Sequence, residues 1–298
     1  MEQALFLIRM TTDRSVATFT TSHKITISHI ARSKAVRPKP AFLGPQQAAA
    51  FQDEAVAWAY QFRPPYPDAT FDILANLALD TPQRILDIGC GTGYVARKLV
   101  DKVTHIDAID ISPVMIAQGE HLPRGDAPSL TWIVGAVETA PLNPPYSLVT
   151  AGDSLHWMDW ATVMPRLATM LTPRGTLAIL GVGQLPTPWD DQLVPIIRQY
   201  STVSGYHPYD LVSELETRGL FQTSGRQTTA PVPFVQPLDE YIESFHGRAS
   251  FVRERMGSAA ASAFDAAVRE LVSHYYTDSV TLQVVTEVVW GKPLQSGE

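Results

Sequence analysis

One cysteine, Cys90, stands in 298 residues. A lone thiol excludes a disulfide framework and a cysteine-based metal cluster, and it makes a reducing, cytoplasmic setting the expectation. No apolar run approaches the roughly 18 to 20 residues that a membrane span needs. Hydrophobic content of 45% and mean hydropathy of -0.02 instead predict a soluble globular body. No His-x-x-x-His pair occurs, so no metal site is expected; His207, His246 and His274 are scattered and read as surface or packing residues. The Gly-x-Ser-x-Gly elbow of the hydrolases is also missing. Acidic residues are scarce only at the beginning: residues 1–44 hold seven Lys/Arg against two Asp/Glu, and residues 45–298 hold 16 against 28. A body that acidic repels a phosphate backbone, which argues against nucleic acid and for a small-molecule partner. Monomer and homodimer both stay open.

Residues 1–44, rich in Ser, Thr, Lys and Arg and ending in Arg37-Pro38-Lys39-Pro40, read as a flexible basic arm. Their acid-poor composition is that of a transit peptide, yet the apolar opening is short and no small-residue cleavage site stands out. From Gln46 to Tyr60 the positions Phe51, Ala55, Trp58 and Ala59 mark one amphipathic helix, stopped by Arg63-Pro64-Pro65-Tyr66-Pro67. A second helix spans Phe71 to Leu79. After Pro82 strands and helices alternate, with strands at Ile85–Ile88, Val103–Ile111, Thr131–Val134, Ser147–Ala151 and Thr176–Val182. Ser112 as N-cap with Pro113 at the first helical position opens the helix after the second strand. This order implies an α/β, Rossmann-like, doubly wound sheet of seven mostly parallel strands. Its last strand, Thr281–Trp290, is antiparallel. Helices at about 186–218 and 238–277, inserted between late strands, predict a cap over the carboxyl end of the sheet, where open α/β sheets bind ligands. Between them, Gln222–Val235 carries a long strand signal despite Pro231 and Pro233. The cap holds Trp189, Tyr200, Tyr206, Tyr209, Phe245, Arg248 and Phe251, which either shape a pocket or fill a core.

The most informative stretch is Ile85 to Leu99, ILDIGCGTGYVARKL. An apolar strand enters a glycine turn and a helix leaves it: Gly89, Gly91 and Gly93, with Cys90 between the first two, let the backbone approach a ligand that side chains would block, and the emerging helix aims free N–H groups at it. A dinucleotide fingerprint would place its third glycine where Tyr94 stands; the motif is Asp-x-Gly-x-Gly-x-Gly, opening on Asp87. Asp110 lies 21 residues after Gly89, at the end of the second strand beside Ile111. A carboxylate there can accept hydrogen bonds from both ribose hydroxyls of a nucleoside. The plain alternative is an aspartate approaching the Ser112-Pro113 helix start. Asp107, in mid-strand, is given only a packing or ion-pair role.

ILDIGCGTG, the acidic strand end at Asp110 and the loop Val134-Gly135-Ala136-Val137-Glu138 resemble the class I S-adenosylmethionine (SAM) dependent methyltransferases, over residues 46 to 292. The resemblance implies a methyltransferase domain at 45–292 with a short tail, 293–298. It further implies that the glycine loop and Asp87 lie by the methionine end of SAM, that Asp110 takes the ribose, and that the backbone at Ala136 and Val137 takes the adenine. Ala136 departs from relatives that carry Asp or Ser, so water, or no group at all, meets the adenine amine there. Tyr60 and Arg63-Pro64 resemble a Tyr-x-x-Arg-Pro segment of small-molecule members; Arg63 then pairs with the cofactor carboxylate or is simply a surface arginine. Met115 packs on adenine or fills the core.

Asn143-Pro144-Pro145-Tyr146 matches the tetrapeptide of amino-group methyltransferases, but it precedes the fourth strand where theirs comes after it. It therefore reads as a proline turn. Directly after that strand stands Gly152-Asp153-Ser154-Leu155-His156-Trp157, and Leu-His-Trp resembles the trans-aconitate and juvenile hormone acid methyltransferases. His156 and Trp157 are then candidates to position a substrate oxygen, or His156 to act as a base toward a hydroxyl. The expectation is a SAM-dependent enzyme that methylates an oxygen, carboxylate or hydroxyl, of a small metabolite and leaves S-adenosylhomocysteine. A carbon or nitrogen methyltransferase and a non-catalytic SAM-binding module are the alternatives.

Overall fold

A computed structural model describes residues 39–207 and 209–295. Most of the expected arm, residues 1–38, and the end of the expected tail, 296–298, lie outside the described residues. The sheet is built from β1 (Arg84–Ile88), β2 (His105–Asp110), β3 (Leu130–Val134), β4 (Tyr146–Gly152), β5 (Leu171–Gln184), β6 (Phe221–Thr228), β7 (Val232–Pro237) and β8 (Ser279–Pro293). Its order is β3-β2-β1-β4-β5-β8-β6, with β7 also on β8. Neighbours from β3 to β5 are parallel, and β8 runs antiparallel to β5, β6 and β7. Eight strands occupy seven positions, because β6 and β7 share the outer edge of β8. The Gln222–Val235 signal is this edge, and Pro233, which has no N–H to donate, is tolerated within it.

The parallel strands are apolar on both faces because both faces are covered. Leu86, Ile88, Val149 and Ile179 pack with Trp160, Val163 and Leu167 of a helix over Trp160–Met170 on one side. Ile85, Leu148 and Leu180 pack with Phe71, Leu74, Val95 and Leu99 on the other. In chain order the α-helices are α1 (Pro45–Ala48), α2 (Glu54–Tyr60), α3 (Ala69–Leu77), α4 (Tyr94–Leu99), α5 (Pro113–Glu120), α6 (Trp160–Met170), α7 (Asp190–Tyr200), α8 (Leu211–Thr217), α9 (Leu238–His246), α10 (Arg253–Met256) and α11 (Ser258–Ser273). None of the described helices is long and apolar enough to cross a membrane.

Three differences from the sequence reading have physical causes. The helix expected over Gln46–Tyr60 breaks at Asp53, whose extended backbone lets its carboxylate accept from the N–H groups of Ala55 and Val56 at 2.7 and 3.2 Å and start α2 anew. Helix α8, expected in the cap, instead lays Val212 and Leu215 against the α6 side of the sheet, so the cap consists of α7 and α9 to α11. Residues 41–44, expected in the arm, are part of the body: Phe42 and Leu43 are buried, and Phe42 packs against Tyr206, His207 and Tyr209. The cap has its own core, in which Trp189, Phe245, Phe251 and Phe264 close over Val182, Leu282 and Val284 at the protruding ends of β5 and β8.

Candidate active site

Strand order reverses between β1 and β4, because β1 continues toward β2 and β4 toward β5. Parallel strands put their carboxyl ends on one edge, so the turns after β1, β2 and β4 meet there and leave a crevice. The turn after β1 is held by its backbone. Gly89 and Gly91 have φ of +60° and +56°, and a Cβ on Gly89 would lie 2.5 Å from the Cβ of Ser154. A Cβ on Gly91 would meet no atom within 4 Å, so this glycine faces open space. The N–H of Cys90 donates to Ile109 O at 3.0 Å, tying the turn to β2.

Asp110 completes the anchor. One oxygen accepts the Gly91 N–H and the other the Ser112 N–H, both at 2.8 Å. An ionised carboxylate offers about four lone-pair directions, so about two remain, one on each oxygen. Burial raises the Asp110 pKa, opposed by these backbone N–H groups. The plain alternative from the sequence is thus also real, since Asp110 does cap the approach to α5. Ser112 in turn accepts the Met115 N–H and donates to Phe51 O at 2.7 Å, which fastens the N-terminal segment to the rim.

These elements enclose a cleft of about 380 Å³, within the size range of small-molecule sites. Gly89, Gly91, Asp110 and Ile111 form its floor, Met115, Ala136 and Val137 one end, and Tyr60, Arg63 and Gly152 the other. Asp87 and Cys90 line an adjoining cavity of about 350 Å³ that shares Tyr60, Arg63, Gly89 and Gly152. Asp87 is 2% exposed; Thr150 donates to one oxygen at 2.8 Å, and the other is buried with no hydrogen-bond partner among the described residues. Burial, with a smaller push from the Asp110 charge, moves its pKa up to about 7 against the Thr150 hydrogen bond and the nearby Ala96 backbone N–H. Burial also raises the Cys90 thiol and the Tyr60 and Tyr66 hydroxyls. The Arg63 guanidinium lies 4.7 Å over the Tyr60 ring.

A nucleoside bearing a cationic side chain fits this donor set. Asp110 has lone pairs left for a diol, Gly91 leaves room, and the orphaned oxygen of Asp87 can meet positive charge. The residues after β4 lead elsewhere. Asp153, at a strained φ of +50°, accepts from Tyr66 Oη at 3.2 Å and from the Val182 N–H at 3.4 Å. His156 and Trp157 sit on a 3-10 turn, Leu155–Trp157, with ring centroids 4.4 Å apart. His156 is 8% exposed and lines a second hollow of about 70 Å³ with Phe42, Tyr206 and Arg248. Phe51, Arg63, Asp153 and Trp157 line both the hollow and the cleft.

Asn143–Tyr146 is far from all of this, at the entry of β4. The Asn143 N–H donates to Tyr146 Oη, and Tyr146 donates to Asp107 at 2.7 Å. Asp107 also pairs with Arg84 and His105 and is structural. Among the cap residues, Trp189, Phe245 and Phe251 are core, whereas Tyr206 and Arg248 line the hollow. The sequence reading missed Phe42, Ala48, Ala49, Gln52, Asp153, Ser154 and Met158 as cleft or hollow residues. For Asp153 and Ser154 a signal existed, since both come directly after Gly152 at the switch point.

Residues 85–175 match the family described as methyltransferase domain. A trans-aconitate 2-methyltransferase of Methylobacterium nodulans is 33% identical over 141 residues, 46% of this chain and 50% of that one. A malonyl-acyl-carrier-protein O-methyltransferase of Anoxybacillus flavithermus is 36% identical over 99 residues, 32% and 38% of the two chains. The chain spans about half, or less, of the length of such curated relatives. The solved structure of an Anaeromyxobacter dehalogenans protein assigned as a type II methyltransferase superposes with a TM-score of 0.58 at 21% identity, covering 77% of this chain and 97% of that one. The matched segment holds the glycine turn, Asp110 and the turn after β4, the parts from which the crevice is built. Residues 85–175 thus carry the sequence pattern of a methyltransferase domain, on a fold shared with that solved structure.

Proposed function

We propose that the protein transfers the methyl group of SAM to an oxygen, carboxylate or hydroxyl, of a small-molecule acceptor. The observation that carries this reading is the pair of compartments, one sized for a nucleoside and one smaller, that share a wall at Phe51, Arg63, Asp153 and Trp157. When bound, SAM supplies a methyl carbon activated by its sulfonium. Asp110 holds the ribose through its remaining lone pairs, and Met115, Ala136 and Val137 flank the adenine. Asp87 and Arg63 meet the amine and carboxylate of the methionine end. Trp157 can donate its indole N–H to an acceptor oxygen, and His156 can align that oxygen or take a hydroxyl proton. Phe42, Phe51, Trp157 and Tyr206 keep water from the acceptor, and methyl displacement is governed chiefly by alignment in such a water-poor site. Two relatives are named for the acids trans-aconitate and malonyl-acyl-carrier protein, which supports an acidic acceptor.

Calorimetry with S-adenosylhomocysteine, then transfer from methyl-labelled SAM to a panel of acids, alcohols and amines, tests the reading. Turnover of acids or alcohols supports it. Turnover confined to amines or activated carbon would replace it with nitrogen or carbon methylation, and tight cofactor binding without turnover would leave a non-catalytic SAM-binding module.

A further inference from the structure

Two arginines of the cap, five residues apart, are treated in opposite ways. Arg253 is closed by Glu243 at 2.7 Å and Asp265 at 2.8 Å. Arg248 comes after α9 at the wall of the acceptor hollow, 4.7 Å over the Phe245 ring. Its Nε is buried without a hydrogen-bond partner, and no carboxylate among the described residues forms an ion pair with it. Burial and the nearby Arg63 charge lower its pKa to about 10 against the Tyr241 hydroxyl and the Asp153 carboxylate, so it is still protonated at neutral pH. A guanidinium buried at Nε and closed by no ion pair keeps hydrogen-bonding capacity that a planar anion would satisfy.

Position decides which part of the acceptor it meets. Arg248 lines the hollow but not the cofactor cleft, whereas Arg63 and Trp157 line both. A guanidinium on the attacking oxygen would also draw electron density from the nucleophile. On a second group of the same molecule it adds binding and orientation at no such cost. Resting on the methyl-transfer reading above, we propose that Arg248 holds a carboxylate of the acceptor distinct from the oxygen that is methylated. The substrates are then small acids with a second oxygen, dicarboxylates or hydroxy acids, and Arg248 is a specificity-determining residue.

The test is calorimetric titration of malonate, succinate and malate, of the neutral diamides of malonate and succinate, and of inorganic phosphate, onto the full chain with and without S-adenosylhomocysteine. The diacids should bind at least tenfold more tightly than the diamides. Arg248→Gln should remove that preference, leaving diamide and S-adenosylhomocysteine affinities unchanged. Arg248→Lys, with thermal melts to verify folding, should keep the preference with weaker acid binding. Acids and diamides binding alike to the wild type, diacids binding equally to wild type and Arg248→Gln, phosphate binding in place of the acids, or a folded Arg248→Lys without the preference would each overturn the proposal. Absence of S-adenosylhomocysteine binding would instead overturn the cofactor reading, while acid binding to the protein alone still scores Arg248.

Discussion

Replacing Asp110 with alanine separates two jobs that one carboxylate performs. In the ligand-free protein its oxygens accept the Gly91 and Ser112 N–H groups, both at 2.8 Å. Hydrogen bonds to charged groups contribute about 1.5–3 kcal/mol each, but the desolvation that raises the Asp110 pKa offsets part of this, so about 2 kcal/mol of stability should be lost. For a domain of this size that lowers Tm by roughly 4–8 °C. In the proposed complex the remaining lone pairs take the two ribose hydroxyls, and their loss should weaken S-adenosylhomocysteine binding by about ten- to a hundredfold, or about 1.4–2.8 kcal/mol. Asp110→Asn divides the effects. Its single carbonyl oxygen can serve only one of the two N–H groups, so Tm should still fall, while its amide can donate to a ribose oxygen and spare some affinity. Melts without ligand and calorimetry with S-adenosylhomocysteine measure the two effects independently. Affinity of Asp110→Ala within threefold of wild type would refute the ribose assignment. An unchanged Tm would refute the anchoring of the glycine turn.

The two glycines of the turn should fail differently. Gly89→Ala collides with Ser154 and should not accumulate as folded protein, whereas Gly91→Ala meets open space, costs about 1–2 kcal/mol for its positive φ, and should fold with impaired cofactor affinity; equal expression and melting of the two would contradict this. Asp87 ionises near 3.8 when unfolded and at about 7 when folded, so between those values the folded protein keeps a proton that the unfolded chain has lost. Its contribution to stability therefore falls as pH rises through that window and levels off above 7, by about 2 kcal/mol between pH 5.5 and 8. Asp87→Asn should flatten Tm over that range, and an unaltered pH slope would count against it. If the acceptor oxygen is a carboxylate, His156→Gln should retain substantial turnover and the product should be a base-labile methyl ester. Near-total loss of turnover with acceptor binding intact would assign His156 as a base.

The alternation of strands and helices was legible because apolar spacing and helix starts are local: Ser112 caps α5 with Pro113 behind it, and the glycine turn stands directly after β1. The structure brings the residues expected at the cofactor around one cleft and its neighbour, since Gly89, Asp110 and Gly152 all close strands that run the same way. The illegible part depends on closure between distant segments. Periodicity tells that Phe51 lies on an apolar face, but not that Ser112 will bind its carbonyl. Nothing local distinguishes Arg248, left without an ion pair among the described residues, from Arg253, which Glu243 and Asp265 satisfy. Asp53 was legible in principle, as an N-cap type residue with Glu54 behind it, but the apolar spacing on either side masked the break.

The division of labour in the chain arises from the same geometry. The proposed cofactor cleft is floored by turns within residues 89–152, fixed by strand ends that cannot shift without disturbing the sheet. The proposed acceptor hollow is walled by Phe42, Phe51 and Arg63 of the N-terminal segment, by Tyr206 and Arg248 of the insertions after β5 and β7, and by Asp153, His156 and Trp157 of the turn after β4. The cap buries its aromatic core against Val182, Leu282 and Val284, beyond the part of the sheet that supports the glycine turn. Side chains such as Tyr206 and Arg248 can therefore change without altering strand register, so acceptor choice can vary while cofactor binding stays fixed. Substitutions at Arg248 should accordingly move acceptor KM, whereas those at Asp110 should move cofactor affinity, and the two effects should add in the double variant because the residues share no partner.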